Sequence, residues 1–384
     1  MKKEEKLTNI NTYLIIALVI VVAIGLYFTL SVPVVKKEVA KPVPPKEIMV
    51  TVLQGCEDCF NISVAVDFLK QQKNLNITKT DEVSMEDAKA EAKKYNISKL
   101  PAIIITGDIA NLTIPNFNAQ EGVLVFDQSL PPYYDMATKS VKGKVEFILL
   151  EDKNCTECFD MKTVIDQLKQ AGIKITSEKT VDSNSDEGKG LISKYKIEKI
   201  PTILFNKDAL IYDVVNQVWS QVGSEEDDGR LVLRLVSPPY VNVSTGKTEG
   251  LVELTLLVDE SCTDCYNVSM LKDLFKQSFN MAFKKDETVD VSSTKGKFIV
   301  KKYGIELVPT LILSKDAAAY PSLTSAWGQV GTEEKDGAFV FRNVPMLKDV
   351  FEQQGGFAYK NLTSGEILPK KEAEAEITQP SEES

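Results

Sequence analysis

Histidine is absent from this sequence, and no cysteine lies outside three Cys-x-x-Cys motifs. Without histidine, Ser–His and Cys–His catalysis are excluded, as is every metal site that needs an imidazole ligand. Tryptophan is scarce too, with two residues in 384. Basic residues are outnumbered, because 45 Lys and Arg face 55 Asp and Glu and give a net charge of −10. This balance argues against nucleic acid as a partner.

The three Cys-x-x-Cys motifs share one local context. Each follows an apolar, strand-like run and precedes a pattern with apolar residues three, six and ten positions after the second cysteine, which is one face of a helix. At the start of a helix, unpaired N–H groups and the dipole stabilise a thiolate, the form of cysteine that attacks disulfides. A second cysteine three positions on can resolve a mixed disulfide. We therefore predict six catalytic residues: Cys56, Cys59, Cys155, Cys158, Cys262 and Cys265.

A second phrase repeats with the motifs. The stretches KKYNISKLPAIII, SKYKIEKIPTILF and KKYGIELVPTLIL place a proline 45, 46 and 47 residues after the first cysteine of each motif. In each stretch the proline opens a β-branched run, a position that a strand tolerates. The first cysteines recur at intervals of 99 and 107 residues, which is the size of a domain and too long for a solenoid repeat. The sequence therefore predicts three tandem domains.

Together these motifs resemble the thioredoxin-like fold family, which has a strand, a Cys-x-x-Cys helix, a second helix and a proline-initiated strand in the same order. The resemblance implies an α/β fold of three tandem thioredoxin-like domains, each a mixed sheet flanked by helices. It also implies that the proline is cis and faces the dithiol, and that the peptide group before it pairs with a substrate backbone. Several such domains on one anchored chain also resemble the protein disulfide isomerases. The substrate-binding residues implied in this way are Leu100, Pro101, Ile200, Pro201, Val308 and Pro309.

The sequence departs from the thioredoxins around each dithiol. The tryptophan before the first cysteine is replaced by Gly55, Asn154 and Ser261, and the buried acid of the preceding strand is replaced by Val50, Leu149 and Leu256. An acidic residue also lies between the two cysteines of every motif. A carboxylate beside the sulfur disfavours the thiolate, which makes the disulfide relatively more stable. We therefore expect weak oxidants, with reduction potentials no higher than about −200 mV.

The N-terminal region predicts a membrane anchor. Residues 12–31 contain an uncharged, apolar run from Tyr13 to Leu30 that is long enough to span a bilayer as a helix. A cleaved signal peptide is the alternative, but no A-x-A-like cleavage site precedes Val32. Because disulfide chemistry favours an oxidising compartment, the cysteine pairs predict that the following domains are extracytoplasmic.

Composition divides the chain into seven segments. We predict a cytoplasmic N-terminus at 1–11, a transmembrane signal-anchor at 12–31 and a Pro/Lys-rich linker at 32–46. Thioredoxin-like domains follow at 47–138, 142–245 and 249–362, with an acidic, disordered tail at 363–384. Trp219 and Trp327 occupy matching places before the last hairpin of the second and third domains, where we expect packing anchors.

The functional prediction is a membrane-anchored thiol–disulfide oxidoreductase of the reductase or isomerase type, acting on exported proteins that carry thiols or disulfides. In each domain the first cysteine attacks and the second resolves. A redox partner of unknown identity completes the cycle, and we expect no cofactor and no metal. A non-catalytic binding scaffold is the main alternative, with the cysteines as structural bridges and the tryptophan-bearing hairpins as contact surfaces. A four-thiolate zinc site shared by two motifs is a further alternative.

Overall fold

The computed structural model of the chain describes residues 44–351 and 357–369. The predicted N-terminus at 1–11 and signal-anchor at 12–31 lie outside these ranges, as do most of the linker and most of the acidic tail. Within the described ranges, no helix combines the length and hydropathy that a membrane span requires.

The first unit alternates strands and helices. In chain order its elements are β1 (Lys46–Leu53), α1 (Ser63–Lys70), β2 (Leu75–Val83), α2 (Met85–Lys94), β3 (Lys99–Leu100), β4 (Ala102–Gly107), β5 (Asn118–Gln120), β6 (Val123–Phe126), β7 (Tyr133–Asp135) and β8 (Ser140–Lys142). The main sheet has the order β2-β1-β4-β6-β5, in which β1 is parallel to β2 and antiparallel to β4. A small sheet, β3-β7-β8, lies at its end.

The second unit repeats this arrangement with one more helix. Its elements are β9 (Val145–Glu151), α3 (Lys162–Gln170), β10 (Ile175–Asp182), α4 (Asp186–Tyr195), β11 (Lys199–Ile200), β12 (Thr202–Phe205), α5 (Asp213–Val222), β13 (Gly223–Glu225), β14 (Leu231–Leu233), β15 (Tyr240–Asn242) and β16 (Lys247–Glu249). The main sheet has the order β10-β9-β12-β14-β13, and β11-β15-β16 form the small sheet.

The third unit repeats the second and adds a short helix before its last two strands. Its elements are β17 (Leu251–Val258), α6 (Met270–Phe279), β18 (Ala282–Asp290), α7 (Thr294–Tyr303), β19 (Leu307–Val308), β20 (Thr310–Leu313), α8 (Pro321–Trp327), β21 (Gly331–Glu333), β22 (Phe339–Phe341), α9 (Lys348–Phe351), β23 (Tyr359–Asn361) and β24 (Ile367–Leu368). The main sheet is β18-β17-β20-β22-β21, and the small sheet is β19-β23-β24.

Strand order and direction make each unit thioredoxin-like. In all three, the first strand lies between its parallel partner, the second strand, and the antiparallel strand that follows the repeated proline. The peptide bonds before Pro101, Pro201 and Pro309 are cis, as the resemblance implies. The prediction of three tandem thioredoxin-like α/β domains is confirmed.

Each main sheet is covered by helices on both faces. In the second unit, α3 and α5 pack on one face through Ile165 and Trp219, while α4 packs on the other through Tyr195. Strand β12 is buried along its whole length, because alternate side chains enter the two helical layers. The second helix of every unit begins after a serine whose hydroxyl accepts an N–H of the first turn: Ser84, Ser185 and Ser293.

The two tryptophans are core residues. Trp219 lies in α5 and Trp327 ends α8, with exposed fractions of 7% and 3%. Their rings meet Phe205 and Phe339 edge to face. The predicted packing role is confirmed. The alternative placement of the tryptophans on hairpins, as contact surfaces of a scaffold, is wrong because both lie on the buried faces of helices.

Candidate functional site

Each Cys-x-x-Cys motif is closed as a disulfide. The S–S distances are 2.12, 2.08 and 2.02 Å in the first, second and third units. Cys262 is 7% exposed, whereas the other five cysteines are partly exposed. The six residues predicted to be catalytic are thus brought together as three pairs, one in each unit.

The cysteines precede the helix by about one turn. Helices α1 and α3 begin four residues after the second cysteine, and α6 begins five residues after it. The sequence-based placement in the first helical turn is therefore wrong, and the helix dipole acts on the sulfurs less than we expected because its effect falls off within a turn. An amide of the motif itself faces a sulfur instead, since the Cys56 N–H donates to Cys59 Sγ at 3.0 Å.

A tertiary hydrogen bond ties each motif to a distant part of the chain. The residue after the second cysteine donates its N–H to a carbonyl oxygen far along the sequence, so this amide is paired although it precedes the helix. The bonds are Phe60 to Pro132 at 2.7 Å, Phe159 to Pro239 at 2.7 Å and Tyr266 to Ala358 at 2.8 Å.

In the first two units, the cis proline lies beside the dithiol. A Cβ built on Gly55 would lie 2.7 Å from Pro101 Cδ and 3.1 Å from Cys59 Cβ, so the proline approaches the dithiol too closely for any side chain. In the first unit, this contact leaves room only for glycine at position 55. In the second unit, Cys158 Sγ lies 4.0 Å from the carbonyl oxygen of Ile200, the residue before the proline.

The third unit links its proline to the motif through a side chain. The Tyr266 hydroxyl donates to the Pro309 carbonyl oxygen at 2.8 Å. Tyr266 directly follows the second cysteine and is buried against Phe351 and Phe357. Burial raises the pKa of Tyr266 above its ordinary value, so the hydroxyl stays protonated and remains a donor.

The resemblance implies that a substrate backbone pairs with the short strand before each cis proline. In this chain that strand is already paired with another strand of the same protein. The residues before the three prolines form antiparallel pairs with the hairpin at the C-terminal end of each unit: Leu100 with Tyr134, Ile200 with Val241 and Val308 with Lys360. One more amide extends each ladder, from Met136 to Ser98 at 3.0 Å, from Val243 to Glu198 at 2.8 Å and from Leu362 to Glu306 at 2.8 Å. We call β7–β8, β15–β16 and β23–β24 the docked hairpins.

Two docked hairpins lead directly into the next unit. Gly143 lies between β8 and β9, and Gly250 lies between β16 and β17. Both glycines have positive φ, +85° and +88°, and a Cβ on either would lie 2.4 Å from a proline side-chain carbon. Their carbonyl oxygens accept hydrogen bonds from Tyr212 at 2.7 Å and Tyr320 at 2.8 Å, both from the following unit. The junction between units is therefore well defined at these glycines.

One of the two acidic residues of the first motif, Asp58, is paired with lysines of the second unit. Lys144 Nζ lies 2.9 Å from one Asp58 carboxylate oxygen, and Lys174 Nζ lies 3.8 Å from the other. The hydrogen bond from Lys144 lowers the pKa of Asp58 below its ordinary value. No local pattern indicated this pair, because 86 residues separate Asp58 from Lys144.

The other two dithiols have different neighbours from their docked hairpins. Thr248 Oγ1 lies 3.6 Å from Cys155 Sγ, and the hydroxyl is the donor because a disulfide sulfur carries no hydrogen. Lys360 Nζ lies 2.7 Å from Asp259 and 3.1 Å from the Ser261 hydroxyl, next to Cys262. Burial raises the pKa of Asp259, but the Lys360 ion pair and the Ser261 hydrogen bonds outweigh it and lower the pKa overall.

A groove adjoins the dithiol in the first two units. In the second unit it has a volume of about 590 Å³ and is lined by both cysteines, Pro201 and the apolar side chains of Leu149 and Ile165. Five carboxylates and two lysines also line it. The corresponding groove of the first unit has a volume of about 430 Å³, with three carboxylates and one lysine. These grooves leave part of each disulfide open to solvent.

The zinc alternative receives no support. Each cysteine is bonded to the other member of its own motif, so no sulfur ligand is shared between motifs. Among residues 44–351 and 357–369, no group of three or more thiol or carboxylate side chains is arranged to hold a metal ion.

Similarity to known proteins is found among solved structures. No protein-family model and no curated protein matches the chain. The alkylhydroperoxide reductase protein AhpF of Enterococcus faecalis is 15% identical over 42% of this chain and 81% of its own, with a TM-score of 0.16. The zinc-bound form of human ERp44 is 12% identical over 80% of this chain and 86% of its own, with a TM-score of 0.14, and ERdj5 is 10% identical over 71% and 42%, with a TM-score of 0.15.

The thioredoxin-like fold of the three units is shown by their own strand order and cis prolines.

Proposed function

We propose that this protein is a thiol–disulfide oxidoreductase that exchanges electrons with protein disulfides through its three dithiols. The observation that supports the proposal is the repeated geometry: every thioredoxin-like unit has a closed Cys-x-x-Cys disulfide and a cis proline, and in the first two units the proline lies beside the disulfide. A bridge across a loop this short constrains the unfolded chain little, so stability alone is a weak reason to keep three of them.

The reaction needs only the two sulfurs of a unit. In the second unit, the Cys155 thiolate attacks one sulfur of a substrate disulfide, forming a mixed disulfide and releasing the other substrate sulfur as a thiolate. The Cys158 thiolate then attacks Cys155 Sγ and releases the second substrate thiolate. Two electrons pass to the substrate, the Cys155–Cys158 bond forms again, and the thiol protons pass to solvent and to the substrate thiolates. A dithiol reductant must reopen this bond in each cycle.

The roles carried over from the resemblance belong to this proposal. The first cysteine of each motif attacks the substrate disulfide, and the second resolves the mixed disulfide. The attacking residues are Cys56, Cys155 and Cys262, and the resolving residues are Cys59, Cys158 and Cys265. Pro101, Pro201 and Pro309 contact the substrate beside the dithiol. The preceding residues Leu100, Ile200 and Val308 bind a substrate backbone only when the docked hairpin leaves them.

We further propose that the three units face the extracytoplasmic side of a membrane, held by the apolar segment at 12–31. The length and hydropathy of that segment support the anchor, and the three cysteine pairs support an oxidising compartment. The substrates are then exported proteins, and a separate redox partner renews the dithiols.

A structural bridge is the second candidate role, and one observation favours it for the third unit. Cys262 is 7% exposed, and an attacking sulfur needs access. We therefore expect the third unit to be the slowest of the three.

Full-length chains that keep one motif, with both cysteines of the other two replaced by serine, test the proposal. We expect the chains that retain Cys56–Cys59 or Cys155–Cys158 to accelerate the reduction of insulin by dithiothreitol. The chain without any cysteine is the matched control. If no single-motif chain exceeds that control while its circular dichroism is unchanged, the oxidoreductase proposal is refuted.

A further inference from the structure

The docked hairpins hold the same position in all three units. In the second unit, the hairpin is bonded on both sides of the dithiol. On the motif side, the Phe159 N–H donates to the Pro239 carbonyl oxygen at 2.7 Å, and on the proline side, the Val243 N–H donates to the Glu198 carbonyl oxygen at 2.8 Å. The hairpin therefore bridges the motif and the proline strand.

The same hairpin contacts one side of the cysteine that would attack. Thr248, on its outer strand, lies 3.6 Å from Cys155 Sγ. Tyr240 is 4% exposed, so the hairpin buries an aromatic ring as well as its backbone groups. Thiol–disulfide exchange depends on access to the attacked sulfur, and here one approach is filled by the chain itself.

We propose that the docked hairpins are intramolecular straps that gate the three dithiols. This inference rests on the proposed function. Exchange with a protein substrate at one unit requires its strap to undock, which frees both the first cysteine and the strand edge before the cis proline. In the first two units the strap continues through Gly143 or Gly250 into the first strand of the next unit, so undocking also loosens that junction.

The strap is suited to opening without global unfolding. It is a short pair of three-residue strands outside the main sheet, held to the second unit by a few backbone hydrogen bonds, the buried Tyr240 ring and the partly buried Val243. Segments with so few buried contacts open locally at much lower cost than the core. Loss of one backbone hydrogen bond should raise the undocked population about two- to tenfold.

The test is Val243→Pro in the full-length chain that keeps only Cys155 and Cys158. Proline removes the N–H that donates to Glu198, while Val243→Thr keeps it and is the matched control. We expect Val243→Pro to raise the rate at which a polyethylene-glycol maleimide, which is too bulky for the groove, alkylates reduced Cys155 about two- to tenfold. Val243→Thr should react like the parent chain. An unchanged or slower rate in a folded Val243→Pro chain overturns the strap.

A measurement without the proline covers the case in which Val243→Pro does not fold. In the Cys158→Ala chain, the Cys155 thiolate attacks oxidised glutathione, forms a protein–glutathione disulfide and releases one glutathione thiolate. We expect hydrogen exchange at the amides of Phe159 and Val243 to be at least about threefold faster in this adduct than in the unmodified chain. Equal protection in both states contradicts the proposal.

The two readouts separate the strap from the proposed function. Alkylation and hydrogen exchange report access and need no turnover, whereas insulin reduction reports catalysis. If Val243→Pro speeds alkylation but no single-motif chain reduces insulin, the oxidoreductase proposal is refuted and the strap stands. If insulin is reduced but Val243→Pro and its parent are alkylated at the same rate, the strap is refuted and the oxidoreductase proposal stands.

Discussion

The close approach of Pro101 to the first dithiol predicts that a side chain at position 55 destabilises the first unit. In Gly55→Ala, the new Cβ would lie 2.7 Å from Pro101 Cδ, 2.8 Å from Pro101 N and 3.1 Å from Cys59 Cβ. The proline ring is rigid and its nitrogen is backbone, so neither can yield cheaply. Overpacking of this kind costs about 1–3 kcal/mol. We expect the first unit to lose stability by that amount.

Gly190→Ala is the matched control with the opposite sign. Gly190 lies within α4, and a Cβ added there would meet nothing within 4 Å. Alanine in a helix is favoured over glycine by about 0.5–1 kcal/mol, so this change should stabilise the second unit.

Native-state hydrogen exchange is the suitable assay, because it reports the opening free energy of each unit separately in a three-unit chain. Amides of β1 and β4 report Gly55→Ala, and amides of α4 report Gly190→Ala. The packing account is refuted if Gly55→Ala leaves β1 and β4 as protected as before, or if both variants shift protection in the same direction.

Three further predictions follow from single contacts. Lys144→Met should return the pKa of Asp58 towards its ordinary value, because the main cause of its lowering is removed; a carboxyl NMR titration measures this, and an unchanged pKa contradicts it. The pKa of Asp228 is about 2, held down first by Lys194. The ionised carboxylate contributes to stability above the unfolded pKa, and this contribution disappears as pH falls through about 2. Between about pH 4 and 2, the free energy of unfolding should therefore fall less steeply in Asp228→Asn than in the parent chain; equal slopes would contradict this. Tyr266→Phe leaves the buried Pro309 carbonyl oxygen without its donor and should cost the third unit about 1–3 kcal/mol in hydrogen exchange, and a cost near zero would show that the bond is unimportant.

Local sequence signals predicted most of the fold. The Cys-x-x-Cys motifs, the apolar helix face that follows and the proline-initiated strand recur at constant spacing, and together these located three thioredoxin-like units. On the helix face predicted after Cys158, Met161 is buried, and Val164 and Leu168 are partly buried against the same core. Local pattern succeeds here because strands and helices of this length show their buried faces in their own periodicity.

The docked hairpins could not be predicted in the same way. Their strands are two or three residues long, too short for an alternating pattern, and the Pro-Pro pairs before two of them resemble linkers. The lysine and threonine that approach the dithiols come from segments 86 and 93 residues away, so spacing carries no information about them. One sequence feature could have indicated the docked hairpins: PPYY and PPYV recur at matching places near the ends of the first and second units.

The hydrogen bond that follows each motif was also beyond local pattern, because the amide and the carbonyl oxygen that accepts from it lie far apart in the chain. The strand edge before each cis proline pairs with a hairpin of the same distant segment.

A redox titration of all three pairs tests the central claim most directly. The full-length chain is equilibrated across dithiothreitol and glutathione buffers, trapped by alkylation, and each motif is quantified by peptide mass while circular dichroism follows the fold. The account predicts that every pair opens and closes reversibly at a potential no higher than about −200 mV, with the secondary structure unchanged. Pairs that stay closed until the units unfold would leave three structural bridges in place of three redox centres.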